Sequence, residues 1–197
     1  MKLRSKKVFL REPTADDCDE LIALYRSSRK HFAGYASSNY TRERFETLLE
    51  EAAKETNAAF VVCRVEDGAI VGTLNLSQIF RRLFQNAYIG YQLFAGHTGN
   101  GYMTEAVELA LRHAFVTLKL HRIGASVQPW NKPSIAVLRR TGFTKEGYAR
   151  RMLKINGKWR DHEQWAILKE DWVQRKRDER KGVGNSKQRT AKGRKSR

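Results

Sequence analysis

Between Asn86 and Gln128 the chain reads as a strand (NAYIGYQLF), a glycine turn (AGHTGNG), a helix and a second strand (RIGASVQ). Val107, Leu111, Ala114, Phe115 and Leu118 recur at helical spacing and give that helix one apolar face. A strand–helix–strand unit leaves its two strands parallel and adjacent, because the helix carries the chain back to the starting end of the sheet. The fold must therefore be built around a parallel pair, with an open turn where the first strand meets the helix.

The flanking segments add strands of another kind. Residues 7–11 read as a strand, and Thr14 opens a helix with Asp16 and Asp17 in its first turn and Leu21, Leu24, Tyr25 and Phe32 along it. A second helix starts after Thr41, with Phe45, Leu48, Leu49 and Ala52 on one face. AAFVVCRVE and AIVGTLNLSQIF flank Asp67-Gly68 as a hairpin. SIAVLRRTG is a short helix, and FTKEGYARRMLKI and KWRDHEQWAIL form a closing hairpin about Asn156-Gly157. The order β-α-α-β-β-β-α-β-α-β-β predicts one α/β domain of mixed α+β type, residues 1–174. Its sheet is mostly antiparallel, with a central parallel pair and helices on both faces.

Charge divides the chain differently. Of the net +17, residues 175–197 carry eleven Lys or Arg against two acids. That segment has almost no apolar content and is expected to be unstructured. It suits phosphate neutralisation on ribosomal RNA, or it is simply a solvated tail; lacking aromatics, it does not suit base stacking. Cys18 and Cys63 lack metal-site spacing and read as buried thiols, which points to a reducing, cytoplasmic compartment. No apolar run is long enough for a membrane span, and the amino end lacks a secretory h-region.

The turn holds Gly96, Gly99 and Gly101 within six residues. Glycine permits positive φ, and the first turn of a helix offers unpaired N–H groups to an anion, so phosphate is the natural ligand; a plain surface turn is the alternative. A P-loop is disfavoured because Tyr102-Met103 stands where Lys and a hydroxyl residue belong. A dinucleotide fingerprint fails on glycine order and on the lack of an acid near Gln128.

GHTGNG does fit the order of the pyrophosphate loop of the GNAT acetyltransferases, with Gly96 where that family has Gln or Arg. GNGYMTEA, HRIGASVQPWNKPSIAVLRRTGF and KEGYARRMLKINGKWRDHEQWAILKEDW resemble the ribosomal-protein alanine N-acetyltransferase branch of that superfamily, over about residues 7–172. The resemblance implies acetyl-CoA as cosubstrate. Backbone groups around Gln92, Leu93 and Phe94 would hold the pantetheine arm, and the N–H near Leu93 would polarise the thioester carbonyl. N–H groups of Thr98, Gly99, Asn100, Gly101, Tyr102 and Met103 would cradle the pyrophosphate, with His97 and Lys132 within reach in sequence. Asn131 would contact the cofactor near its pantetheine end.

The reaction so implied is direct attack of an amine on the thioester, without a metal or a covalent enzyme intermediate. The family's usual acid, a Tyr, is replaced by Leu138; Ser134 is the substitute, or else the N-cap of the next helix. The strand Glu that serves some relatives as base is replaced by Leu153, leaving Tyr91, Glu105, Asp161, His162 or a water relay. Asp161 and His162 alternate across a strand, so at most one faces a cleft. Trp159, Trp165 and Tyr148 read as core or cleft walls, Trp130 as more exposed, and residues 81–86 as a substrate-side loop. The implied acceptor is the N-terminal amine of a protein, alanine of a ribosomal protein. A small-molecule amine (polyamine, aminoglycoside or amino acid) and a ribosome-binding assembly factor without catalysis stand as rivals. The sequence leaves the oligomeric state open.

Overall fold

The computed structural model describes residues 2–35 and 40–192. Eight strands form one sheet: β1 (Lys2–Arg4), β2 (Val8–Arg11), β3 (Ala58–Arg64), β4 (Ile70–Phe80), β5 (Asn86–Leu93), β6 (Arg122–Val127), β7 (Thr144–Ile155) and β8 (Lys158–Leu168). Their spatial order is β1-β2-β3-β4-β5-β6-β8-β7. Neighbours are antiparallel except β5 and β6, which are parallel as the strand–helix–strand pattern requires. The mixed α/β fold expected from the sequence is the fold observed.

Helices α1 (Cys18–Ser27), α2 (Arg29–Phe32) and α3 (Arg42–Ala52) cover one face, and α4 (Tyr102–Arg112), α5 (Lys132–Arg140) and α6 (Lys169–Lys192) the other. Alternation along the strands feeds two cores. Leu74, Leu76, Ala87, Ile89 and Ile123 pack with Val107 and Leu111 of α4 and Ile135 of α5. Val61, Cys63 and Ile70 pack with Leu21, Tyr25, Phe32, Phe45 and Phe94 on the opposite side. Both cysteines are free and buried. No helix among the described residues is long and apolar enough to cross a membrane.

Three elements depart from expectation. β1 is three residues long, too short for an alternation signal, and exists because β2 supplies its hydrogen-bond partners. α4 gives way to a π-turn over His113–Thr117, closed by the Leu118 N–H on the His113 carbonyl at 2.9 Å. The tail expected to be unstructured from Arg175 instead continues α6 to Lys192. The composition argument overlooked a tertiary anchor. Glu108 of α4 takes Arg175 at 2.5 Å and Lys176 at 3.0 Å, while Trp172 packs on Phe115. Residues 193–197 of that tail lie outside the described residues.

The start of α1 is tied to the sheet by a buried carboxylate. Asp17 accepts a bidentate pair from Arg11 at 2.6 and 2.7 Å and the Thr14 N–H at 2.7 Å. Burial pushes its pKa up, but the bonds from Arg11 and Thr14 outweigh that and hold it below the ordinary 3.8. A depressed carboxyl stabilises the fold above its unfolded-state value and loses that contribution as pH falls through the folded-state value. Asp17→Asn should therefore lower the melting temperature at neutral pH and flatten its decline below about pH 4 in an acid titration.

β4 and β5 lie close at Gly72, where an added Cβ would meet the Gln92 carbonyl oxygen at 2.4 Å. Backbone cannot swing aside as a side chain does. Gly72→Ala should destabilise the domain by about 1–3 kcal/mol, read as a lowered thermal unfolding midpoint.

Candidate active site

The parallel pairing of β5 with β6 lasts three residues, from Asn86↔Arg122 to Tyr88↔Gly124. Beyond Tyr88 the strands part. A cavity of about 670 Å³ occupies the gap, lined from both strands, from the first turn of α5 and from the α1–α3 side. This is the carboxyl end of two parallel strands, where open α/β sheets bind ligands.

Strand alternation decides which backbone groups face the gap. The Phe94 N–H is bonded to the Val71 carbonyl at 2.9 Å, so Phe94 and Gln92 direct their main chains at β4. Tyr91 and Leu93 direct theirs the other way, toward the edge that β6 has left. Of the three main-chain groups expected to hold a ligand, Leu93 is the one placed to do so. Phe94 is a correction: its N–H is taken, and its ring is buried edge-on to Tyr25 at 5.1 Å. Gln92 is a correction of backbone only, since its side chain lines the cavity with an unpartnered Oε1.

The glycine turn has the open geometry expected. Gly96, Gly99 and Gly101 sit at φ 84°, 82° and 78°. A Cβ at Gly96 or Gly99 would meet nothing within 4 Å, so backbone conformation, not space, requires glycine there. Asn100 donates Nδ2 to the carbonyls of His97 and Thr98, each at 3.3 Å, and its own carbonyl accepts Lys7 Nζ at 2.9 Å. Gly101 caps α4 without a side-chain bond. The loop thus ties down its carbonyls, while the N–H groups from Thr98 to Thr104 find no acceptor among the described residues. Lys7 was missed in the sequence; MKLRSKK is uniformly basic, and only the fold singles out one ammonium. Glu105 puts it there, accepting Ser5 Oγ at 2.6 Å and the Lys7 N–H at 2.9 Å. That occupation removes Glu105 from the candidate bases.

On the α4–α5 side, Asn131 is the N-cap of α5, accepting the Ser134 N–H at 3.2 Å through Oδ1. Ser134 is therefore not the cap, and its hydroxyl is released from that duty. Tyr91 Oη lies 3.2 Å from the Ser134 carbonyl and 3.0 Å from Ser134 Oγ. The carbonyl can only accept, so Tyr91 donates to it and the Ser134 hydroxyl donates to Tyr91. Burial pushes the Tyr91 phenol far above its ordinary 10, with the Ser134 bond opposing. A phenol so shifted stays protonated near neutral pH, which corrects the reading of Tyr91 as a base.

The other sheet face holds different chemistry. His162 is 2% exposed and lines the cavity. Its Nδ1 is 3.0 Å from the Arg160 carbonyl, which can only accept; Nδ1 therefore carries a proton, and in the neutral ring the lone pair is at Nε2. Asp161 points the other way and is engaged by Tyr148 Oη at 2.6 Å and the Arg151 N–H at 2.7 Å. Gln128 falls one step beyond the pair Val127↔Glu163, opposite His162. It is 3% exposed, donates Nε2 to the Tyr35 carbonyl at 3.0 Å and leaves Oε1 without a partner. Gln128 had been read only as the end of a strand; its position on the cleft face follows from alternation once the register is known. Tyr25 stacked on Tyr40 at 4.1 Å continues this wall. Trp165 is buried as expected, whereas Tyr148 and Trp159 are exposed, a correction taken up below. Thr98, Met103, Asn131, Ser134 and His162 all line the cavity, whereas Gly99, Asn100, Gly101 and Tyr102 stand outside it on the loop.

Residues 7–144 match the acetyltransferase (GNAT) domain family. The probable N-acetyltransferase YjcK of Bacillus subtilis is 40% identical over 177 residues, 86% of this chain and 98% of that protein. The ribosomal protein uS5-alanine N-acetyltransferase of Escherichia coli is 41% identical over 127 residues, 64% of this chain and 66% of that enzyme. Mycobacterium smegmatis RimJ, solved in complex with CoA-disulfide, superposes with a TM-score of 0.77 at 30% identity, over 85% of this chain and 86% of that one. The chain belongs to the GNAT acetyltransferase family and is an N-acetyltransferase that uses acetyl-CoA.

Proposed function

We propose that this enzyme acetylates the N-terminal α-amine of a protein, alanine of a ribosomal protein being the preferred acceptor. The observation that carries the reading is the wall of the cleft. Among the described residues Glu51 is its one carboxylate, and Glu51 is held by Lys54 and by Asn57 Nδ2 at 3.0 Å. A polyamine brings several cations and needs several carboxylates to desolvate them. This wall offers neutral acceptors instead, Gln128 Oε1, Gln92 Oε1 and His162 Nε2, which suit one amine and the N–H groups of a peptide. The similarity to the uS5-alanine enzyme of Escherichia coli favours the same acceptor class.

Acetyl-CoA supplies the activated acetyl thioester. The unpaired N–H groups from Thr98 to Met103 fit its pyrophosphate, with the Lys7 ammonium adjoining the loop. The freed edge of β5 fits the pantetheine arm, and the Leu93 N–H points at the gap as an oxyanion donor. Asn131 spends Oδ1 on the cap and keeps Nδ2 for the cofactor. The amine approaches from the α1–α3 face. An α-amine has a pKa of about 8, so a sizeable fraction is neutral at working pH, and His162 Nε2 accepts the proton released as the N–C bond forms. On the α5 face the Ser134 hydroxyl turns from Tyr91 to the departing sulfur, while Tyr91 turns its proton to Ser134 Oγ. One proton passes from nitrogen to His162 and one from the Ser134–Tyr91 pair to sulfur; exchange with solvent after CoA and amide depart takes the first from His162 and restores the second to the pair.

Gly99→Ala forces a side chain into φ 82° and costs about 1–2 kcal/mol in loop geometry. It should raise the calorimetric Kd for CoA about tenfold. Lys7→Gln should raise it about threefold, with the difference shrinking at high salt.

Ser134→Ala should lower kcat about a hundredfold at nearly unchanged KM for peptide. His162→Gln should lower kcat/KM for peptide about a hundredfold while leaving the calorimetric Kd for CoA unchanged. The deciding comparison is labelled acetyl transfer to peptides differing only at residue one, with spermidine alongside. Preference for Ala-starting peptides supports the proposal. Faster turnover of spermidine would falsify the acceptor while leaving the family and cofactor intact.

A further inference from the structure

The closing hairpin carries an array of side chains that acetyl transfer does not use. From Arg150 to Arg160 there are five Lys or Arg and no Asp or Glu. Arg150, Arg151, Lys154 and Lys158 are all exposed. Two aromatic rings of the hairpin stand among them: Trp159 is 59% exposed and Tyr148 52%.

The hairpin geometry interleaves the two kinds. Lys154 and Trp159 are cross-strand partners, as are Leu153 and Arg160. The second pair faces the cleft side, where the Arg160 guanidinium lies 5.9 Å from the centre of the Trp130 ring; Lys154 and Trp159 face away from it. Between Ala149 and Leu153 the register shifts: four steps along β7 match two along β8, and Arg151 sits at φ 47°. The extra residues bulge from an outer strand and carry Arg150 and Arg151 off the sheet edge. Asp161 holds the bulge through the Arg151 N–H and the Tyr148 hydroxyl, so the nearest carboxylate is spent inside the hairpin.

Cations on an outer strand also hinder edge-to-edge pairing. That role explains Lys154; it does not explain why large rings are left in water beside it. Rings that offer a flat face next to a cation are the two components of a single-strand nucleic-acid surface: bases stack, phosphates are neutralised. We propose that the β7–β8 hairpin, with Trp159 at its centre, binds single-stranded nucleic acid. Leu153 and Ile155 line the acetyl-transfer cleft from one face of the hairpin, and Lys154 and Trp159 stand on the other, so a strand bound here lies behind the cleft wall and leaves the cleft free.

The test uses the full chain and a labelled oligouridine of about twelve nucleotides, with oligothymidine of equal length beside it. Anisotropy gives Kd, and quenching of intrinsic Trp fluorescence reports stacking. Trp159→Ala should weaken binding about tenfold and remove most of the quenching; Trp159→Phe, which keeps an aromatic face, should retain binding. The double change Lys154→Gln and Lys158→Gln should reduce the log Kd versus log salt slope by about 1.4, two phosphates on a single strand. Acetylation of a free peptide should be unchanged in all three variants. Stronger binding of oligouridine than oligothymidine assigns the surface to RNA, and equal binding assigns it to single strands of either sugar. The cations of α6 are common to parent and variants. Parent-like binding and quenching in Trp159→Ala would therefore place the nucleic-acid contact elsewhere and overturn the proposal. So would Trp159-dependent binding of polyglutamate without binding of oligouridine, which would mean an acidic protein partner.

Discussion

The parting of β5 from β6 after Tyr88 is the constraint on which the rest of the molecule depends. Three residues of parallel pairing hold the two halves of the sheet together. At the last pair the Tyr88 ring lies over Gly124, where an added Cβ would come within 2.9 Å of it, so the contact demands glycine. Past that point the main chains of Tyr91 and Leu93 have no strand on one side. In most sheets an open interior edge of this kind is an unmet hydrogen-bonding cost. Here it borders the cleft, and a ligand with amide groups can pair with it as a strand would.

The same gap sorts the chemistry. Alternation sends Gln128 and His162 to the α1–α3 face, and Tyr91 to the face where α5 brings Ser134. Lone pairs therefore collect on one side of the sheet and hydroxyl hydrogens on the other. An acyl transfer between an amine and a thioester needs that polarity: a proton is lost where nitrogen attacks and a hydrogen bond is gained where sulfur departs. No strongly shifted carboxylate is required, which accords with Leu153 standing where some relatives carry an acid. Tyr25, Phe32 and Tyr40 line the lone-pair side, with Phe94 buried behind Tyr25.

Much of this was legible in the chain. The helix period of residues 102–118, the two hairpin turns and the glycine turn fixed the parallel pair and the central element order. What was not legible depended on contacts distant in sequence. Lys7 reaches Asn100 only because Glu105 grips Ser5 and Lys7. α6 extends through a polar segment because Glu108 waits for Arg175. The direction of the Phe94 N–H is set by a bond to Val71 on the next strand. The exposure of Tyr148 and Trp159 follows a register shift in β7 that no alternation rule reveals. Each is a case in which local pattern is overruled by a partner dozens of residues away.

The distribution of charge separates encounter from chemistry. Most of the net +17 lies outside the cleft, and much of it on α6, whose start is tied to α4 on the side of the sheet away from His162. At physiological ionic strength exposed charges are screened beyond about 8 Å, so those cations have little influence on the amine being acylated. Clustered exposed cations of this kind raise the rate of encounter with a polyanionic partner more than they alter chemistry at a distant site. Inside the cleft the unpartnered acceptors are the amide oxygens of Gln92 and Gln128, beside the His162 imidazole. Net charge and cleft chemistry are therefore carried by different residues on different faces, and a change in one need not disturb the other.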